Sequence, residues 1–339
     1  MRRDITLAKP ALFLVSLWLM VLIAITALHA SDASEEMNWS QLRNPFLEYP
    51  DRSIKDFAAI RRNRVYHLYF SSLHESRGEV RCHVMETTTR DFLSFTPLRM
   101  IDDGADEGWM GMASPDISES EGLYYLTYNS WGDIPGKSNQ LFYRVSSDLE
   151  TWSERKPLAA NLTRGARAID AAIARHNGRV ILIWKAHVNQ PRMAWSNSID
   201  GNYKPIGSGY PTFLMADGGQ NGRIHENYQF IKAGGKWRML ATGYTPHEPF
   251  IYELEGDGDS PSDWLRWVNG RRVEIPRDEF NSHDTSNASA ILDNTSVDGF
   301  YHLIFAGNSE IESYLGRGWN RAAIARSRDL VDWETADSK

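Results

Sequence analysis

One hairpin plan recurs five times along this chain of 339 residues. A recurring supersecondary unit restricts the fold more than any other sequence signal, because each copy must bury its apolar face against the next. Each copy joins a short apolar stretch to a second stretch rich in aromatic and β-branched residues. The paired stretches fall at residues 56–60 and 63–70, 114–117 and 122–128, 169–173 and 178–184, 225–230 and 235–240, and 286–291 and 299–305. A Gly or Asn turn separates the two, which is hairpin chemistry. Asp56, Asp116, Asp170, Glu226 and Asn287 mark the starts of the first strands, at spacings of 60, 54, 56 and 61 residues. A second marker follows each hairpin, at residues 90–95, 147–152, 198–203, 262–264 and 327–333. It predicts a turn into an outer strand, with an aromatic side chain packed between neighbours.

Four strands per copy, five times over, predict an all-β chain folded as a five-bladed β-propeller. Such a sheet cannot bury both faces alone, so adjacent blades supply each other's core. The aromatic content of 12%, with twelve Trp, suits that demand. Helical periodicity is nearly absent after residue 40, which argues against an α/β enzyme. Residues 31–55 read as a lead-in, with a ring-closing strand near Asn44 and Pro45. The expected organisation is a targeting segment over residues 1–30 and a propeller catalytic domain over residues 31–339.

Arg2 and Arg3 precede an uncharged run over residues 11–28. That order is a basic flank followed by an apolar segment, as in a signal peptide or an N-terminal membrane anchor. It predicts export: secreted, periplasmic, or membrane-anchored facing outward. The single cysteine, Cys82, excludes an intrachain disulfide and reads as a small apolar filler in a strand. The net charge of −7, with no basic run beyond Arg2 and Arg3, argues against nucleic acid as a partner and suits a neutral one such as sugar.

Four of the five first-strand markers are acidic. In a propeller the start of the innermost strand faces the central funnel, so Asp56, Asp116, Asp170 and Glu226 are expected there. Converging carboxylates raise one another's pKa and mark a functional site. Each has a bland alternative: an ion pair with Lys55 for Asp56, a turn cap after Ser114 and Pro115 for Asp116, and a salt bridge to the basic stretch 164–167 for Asp170. Glu226 follows His225, but no second histidine stands at the offset a zinc helix requires.

This arrangement resembles glycoside hydrolase family 43 and its five-bladed relatives, over about residues 44–335. The resemblance implies a glycosidase in which Asp56 is the general base, Asp170 tunes the acid and orients substrate, and Glu226 is the general acid. Phe57, Ala171, Asn227 and Tyr228 stand where that family often has proline or Gly-Pro, so the relative is a divergent one. Inverting hydrolysis needs one protonated and one ionised carboxyl, roughly 6.5–9.5 Å apart. Asp170 is expected to keep Glu226 protonated by like-charge repulsion. The alternative is a glycan-binding propeller without catalysis. Trp109, Trp131 and Trp319 are candidates for stacking on a sugar, or for blade packing. Arg223 and Arg321 are candidates for hydroxyl contacts, and Asp116 for a turn or binding role. His283 matches the place where the family often has a channel histidine, sometimes linked to a central cation. No cofactor is required, and the resemblance leaves room for a central calcium ion.

Overall fold

The computed structural model describes residues 37–244, 246–283, 289–309 and 321–338. The N-terminal segment 1–30, Asn287 and Trp319 lie outside them. Among the described residues no helix is long and apolar enough to cross a membrane.

Nearly all regular structure is β. The strands Arg52–Arg62, Val65–Ser76 and Glu79–Thr89 form an antiparallel meander, with Arg99–Asp102 added beside the third. Gly111–Ser120, Leu123–Trp131, Leu141–Ser146 and Lys156–Pro157 repeat that plan. The two meanders join into one eight-stranded sheet through a single parallel pair, Cys82 with Gly111. Only glycine fits there, since a Cβ on Gly111 would fall 1.9 Å from the Cys82 carbonyl oxygen. Three further sheets follow. Ala168–His176 leads one of four strands, Ile224–Ala233 one of five, and Ala290–Asp293 one of four. The leading strands touch one another in chain order, and Ala290–Asp293 returns to touch Arg52–Arg62. The meanders therefore stand around a common axis, lined by their leading strands.

Packing follows from the face each strand buries. One apolar cluster joins Ile181, Ile183 and Met193 to Tyr228, Phe250, Trp264 and Trp267, so it belongs to two adjacent sheets. Equivalent clusters join the first meander to the second, the second to the sheet led by Ala168–His176, and the sheet led by Ile224–Ala233 to that led by Ala290–Asp293. Trp264 and Trp267 are fully buried. Each removes about 150–250 Å² from water, an upper bound of about 4–6 kcal/mol of stabilisation apiece.

Three of the second sequence markers fold as local turns of one design, while residues 262–264 lie in the 3-10 turn Pro261–Leu265. Ser146 Oγ accepts from the amides of Asp148 and Leu149, and Asp148 Oδ1 accepts from Glu150 and Thr151. Thr89 with Asp91, and Ser327 with Asp329, repeat the pattern. In each the next residue, Phe92, Leu149 or Leu330, takes a positive φ and buries its side chain.

The lead-in docks on the last sheet. Arg43–Asn44 pairs in parallel with Asp337–Ser338. The buried Asn44 side chain donates to the carbonyls of Ile324 (2.9 Å) and Ala336 (3.3 Å) and accepts from the Ile324 amide (2.9 Å). The strand expected near Asn44 and Pro45 is this one.

Candidate active site

The first four leading strands each carry a bulge, and the bulges fix the true phase of the repeat. Pairing slips between Lys55 and Ala58, Ala113 and Asp116, Ile169 and Ala172, and Glu226 and Gln229. The first bulged residue is in each case left-handed: Asp56 (φ 55°), Ser114 (55°), Asp170 (57°) and Asn227 (48°). Asp and Asn enter that region more readily than other non-glycine residues. Part of the reason for these residue types is therefore conformational.

This phase revises the alignment drawn from the sequence. Asp56 and Asp170 are equivalent. Asp116 lies just past its bulge, and Glu226 just before its own, in the position that Lys55 holds in the first meander. The bulges are stitched across neighbouring strands. Ser114 N donates to Ser71 Oγ (2.8 Å), Asp170 N donates to Asn129 Oδ1 (2.8 Å), and Gln229 exchanges two hydrogen bonds with Ile291.

Asp56, Asp170 and Glu226 meet at the axis. Lys185, on Arg179–Ala186, bonds Glu226 Oε2 and lies 3.5 Å from Asp170 Oδ2. Lys55 Nζ lies 3.5 Å from Asp56 Oδ1. His247 Nε2 lies 3.3 Å from Glu226 Oε1. All three carboxylates are buried, at 2%, 5% and 7% exposure. Asp56, Asp116, Asp170, Ser114, Asn227 and Gln229 line a narrow axial cavity of about 10 Å³, roughly one water-sized probe. The ion pair with Lys55 expected as the bland alternative for Asp56 is present together with the convergence.

The electrostatics push Glu226 and Asp170 in opposite directions. Burial alone raises Glu226, but the His247 hydrogen bond and the ammonium groups of Lys185 and Lys55 outweigh it and hold the carboxyl well below its ordinary value. Burial raises Asp170, Lys185 opposes, and the nearby charges of Glu226 and Asp56 raise it further. Of the two, Asp170 rather than Glu226 is thus the carboxyl that binds a proton more readily. This reverses the expected direction of like-charge repulsion, because Lys185 sits closer to Glu226. Burial also raises Asp116, opposed only by backbone N–H donors at Ile173 and Ile117.

The remaining candidates scatter. Trp109 is 4% exposed and lies under Lys137, whose Nζ is 3.7 Å from its ring centroid, so it packs rather than presents a face. Trp131 is partly buried against Leu73, Cys82 and Ala113. Arg223 is tied to Glu248 (3.0 Å) and the Pro246 carbonyl (2.9 Å), and Arg321 to Glu48 (3.3 Å). His283 donates its backbone N–H to Asn308. Cys82 is fully buried, which pushes its thiol up and makes it the inert filler expected.

Sequence reasoning missed Lys185 and His247. A lysine directly after the buried run 180–184 was the available signal, since an ammonium at the end of such a strand requires a partner. His247 lies in a connection between strands and carried no pattern. Among the described residues no group of three or more His, Cys, Asp or Glu side chains is arranged to hold a metal ion. The axial carboxylates face two ammonium groups, a donor set that does not fit a central calcium.

No protein-family model matches the chain, and no curated protein matches its sequence. Solved structures do. One is described as showing that the GH130 family of mannoside phosphorylases contains glycoside hydrolases that target β-1,2-mannosidic linkages in Candida mannan. It is 15% identical with a TM-score of 0.60, over 86% of this chain and 88% of that one. A GH43_1 enzyme from Xanthomonas citri is 13% identical with a TM-score of 0.58, over 84% and 91%. A xylan β-1,4-xylosidase from Bacillus halodurans is 16% identical with a TM-score of 0.55, over 84% of this chain and 54% of that longer one. The chain has the fold of β-propeller glycosidases, and the resemblance to family 43 holds at the level of that fold.

Proposed function

We propose that this protein is a five-bladed β-propeller glycoside hydrolase, exported through its N-terminal segment and acting on a poly- or oligosaccharide by inversion. The observation that carries the reading is the convergence of Asp56, Asp170 and Glu226 from three separate sheets onto one axis. Support for the blade count comes from the leading strands, which follow one another around the axis and return to the first. Support for the chemistry comes from Asp170, whose raised proton affinity beside the ionised Glu226 supplies a proton source for the acid.

In this mechanism Asp56 takes a proton from water, and the water oxygen attacks the anomeric carbon. The glycosidic C–O bond breaks, and the leaving oxygen takes a proton from Glu226. Glu226 starts as an ion paired with Lys185, so its proton must come from Asp170 as bound substrate draws the ammonium away. The expected role of Asp170 as the residue that tunes the acid is kept, with the proton starting on it.

The test is release of reducing ends by the purified full chain from arabino-, xylo- and manno-oligosaccharides. Asp56→Asn and Glu226→Gln should each lower turnover by roughly 10²–10⁴-fold with the thermal midpoint retained. Glu226→Gln should be mildest on substrates with good leaving groups, while Asp56→Asn should affect all substrates alike. Full activity in both variants overturns the assignment.

A second reading, a glycan-binding propeller without catalysis, is favoured by the tight pairing of Glu226 with Lys185 and the narrow axial cavity. Saccharide binding without bond cleavage in the same panel would select it.

A further inference from the structure

The ends where the leading strands begin carry apolar surface that core packing does not use. Tyr244 closes Lys236–Tyr244 and is 45% exposed. Its cross-strand partner Ile224 opens Ile224–Ala233 and is 38% exposed. Val188, two residues beyond Arg179–Ala186, is 67% exposed. That strand packs against Ile224–Ala233, so Val188 follows a strand adjoining the one that opens with Ile224. Single exposed apolar residues are ordinary on a protein surface. These are distinguished by what they adjoin. The Tyr244 ring meets His247 edge to face at 4.9 Å and 87°, and Lys185 Nζ lies 5.8 Å from its centroid. His247 and Lys185 are the groups that hold Glu226. The exposed aromatic is therefore one side chain removed from the axial carboxylates.

Val188 adds an independent signal. Its backbone is left-handed, φ 54° and ψ 28°. A β-branched residue is a genuine outlier there. Such strain persists where the surroundings fix it, and it clusters at ligand sites. Glycine or asparagine would relax the turn; valine instead presents an isopropyl group to solvent.

We propose that Tyr244, with Ile224 beside it and Val188 on the adjoining rim, is the stacking platform for a neutral sugar ring of the substrate, next to the ring that reacts at the axis. The proposal rests on the glycosidase reading for the place of the reacting ring. A sugar ring offers an apolar C–H face bordered by hydroxyls, and an exposed tyrosine among hydrogen-bonding side chains matches both. Lys55 is matched to Asp56, Lys185 to Asp170 and Glu226, and Arg223 to Glu248, while Arg167 bonds the Asn189 amide oxygen beside Val188.

The experiment uses the full chain with xylotetraose, arabinotetraose and β-1,2-mannotetraose as probes. The dissociation constant is read for sugars that are not cleaved and KM for those that are. Tyr244→Ala should weaken binding by about tenfold or more, as loss of an aromatic anchor does. Tyr244→Phe should stay within about twofold, because the ring face is kept. Val188→Gly should fall between them while raising the thermal midpoint, since the strain is relieved. Unchanged binding in Tyr244→Ala, or no binding of any probe by the wild type, overturns the platform. Cleavage with an unchanged KM in Tyr244→Ala removes the platform and leaves the hydrolase. Tyr244-dependent binding with no bond cut keeps the platform and removes the hydrolase.

Discussion

The buried carboxylate of Asp102 and the three carboxylates at the axis are compensated in opposite ways. Asp102 sits at the end of Arg99–Asp102 and meets two guanidinium groups, Arg155 at 2.7 Å and Arg144 at 2.9 Å. It also accepts from Tyr128 Oη (2.7 Å) and the Gly104 amide (2.9 Å). Arg155 also pairs with Asp106 and Glu107, whose side chains reach solvent, so one buried carboxylate faces two guanidinium groups, and the result binds the first meander to the second. At the axis three carboxylates share two ammonium groups and a histidine. There burial and the charges of Glu226 and Asp56 push Asp170 up, so of the two carboxyls that Lys185 bridges it binds a proton the more readily. Two guanidinium groups on one buried carboxylate make a joint; ammonium groups shared among buried carboxylates set their proton affinities apart.

The comparison is broken most severely at the joint. Asp102→Ala should leave the Arg144 guanidinium without a carboxylate and Arg155 with only the exposed Asp106 and Glu107, and cost about 3 kcal/mol. Chemical denaturation should show the loss, with the response to oligosaccharides unaltered. A stability change below 1 kcal/mol would remove the distinction between the two clusters.

Lys185→Met probes the axis, and its effect should depend on pH. The folded pKa of Glu226 is depressed, so its contribution is present above the ordinary glutamate value and is lost as pH falls through the folded value. The variant should therefore be about 3 kcal/mol less stable near neutrality, and the deficit should shrink as the medium is acidified. A pH-independent deficit would mean that Lys185 acts by packing alone. Carbon-13 NMR of labelled side-chain carboxyls should show Glu226 titrating at higher pH in this variant.

The smallest effect is expected at Asp116, which has the opposite sign. Its folded pKa is raised by burial, so it weakens the fold as pH rises above the ordinary aspartate value. Asp116→Asn should stabilise by about 1 kcal/mol at neutral pH or above, and by nothing in acid, where the aspartate is already neutral. Thermal scans at two pH values decide this. Destabilisation at both would show that the carboxyl oxygens are needed as acceptors of the Ile117 and Ile173 amides whatever the charge.

Much of the fold was legible because strand alternation and Gly or Asn turns are local signals. The turns at Asp91, Asp148 and Asp329 depend only on residues within a few positions of one another. The convergence of Asp56, Asp170 and Glu226 was legible from where the repeat places them. The phase was not. A bulge adds a residue without any composition change, so Asp116 and Glu226 were aligned with Asp56 although they stand after and before their bulges. The ionisation pattern was also out of reach, because it turns on Lys185 reaching from one sheet to the carboxylate of the next.

Closure of the ring has a consequence for biosynthesis. Asn44 is held by backbone groups of Ile324 and Ala336, which lie 280 and 292 residues later in the chain. A ribosome completes the strands carrying Asp56, Asp170, Lys185 and Glu226 well before it reaches either partner. Through that interval Arg52–Arg62 lacks the neighbour on one side that Ala290–Asp293 later supplies. A nascent chain halted short of Ile324 would hold all three carboxylates and both lysines, with nothing yet to fasten its two ends.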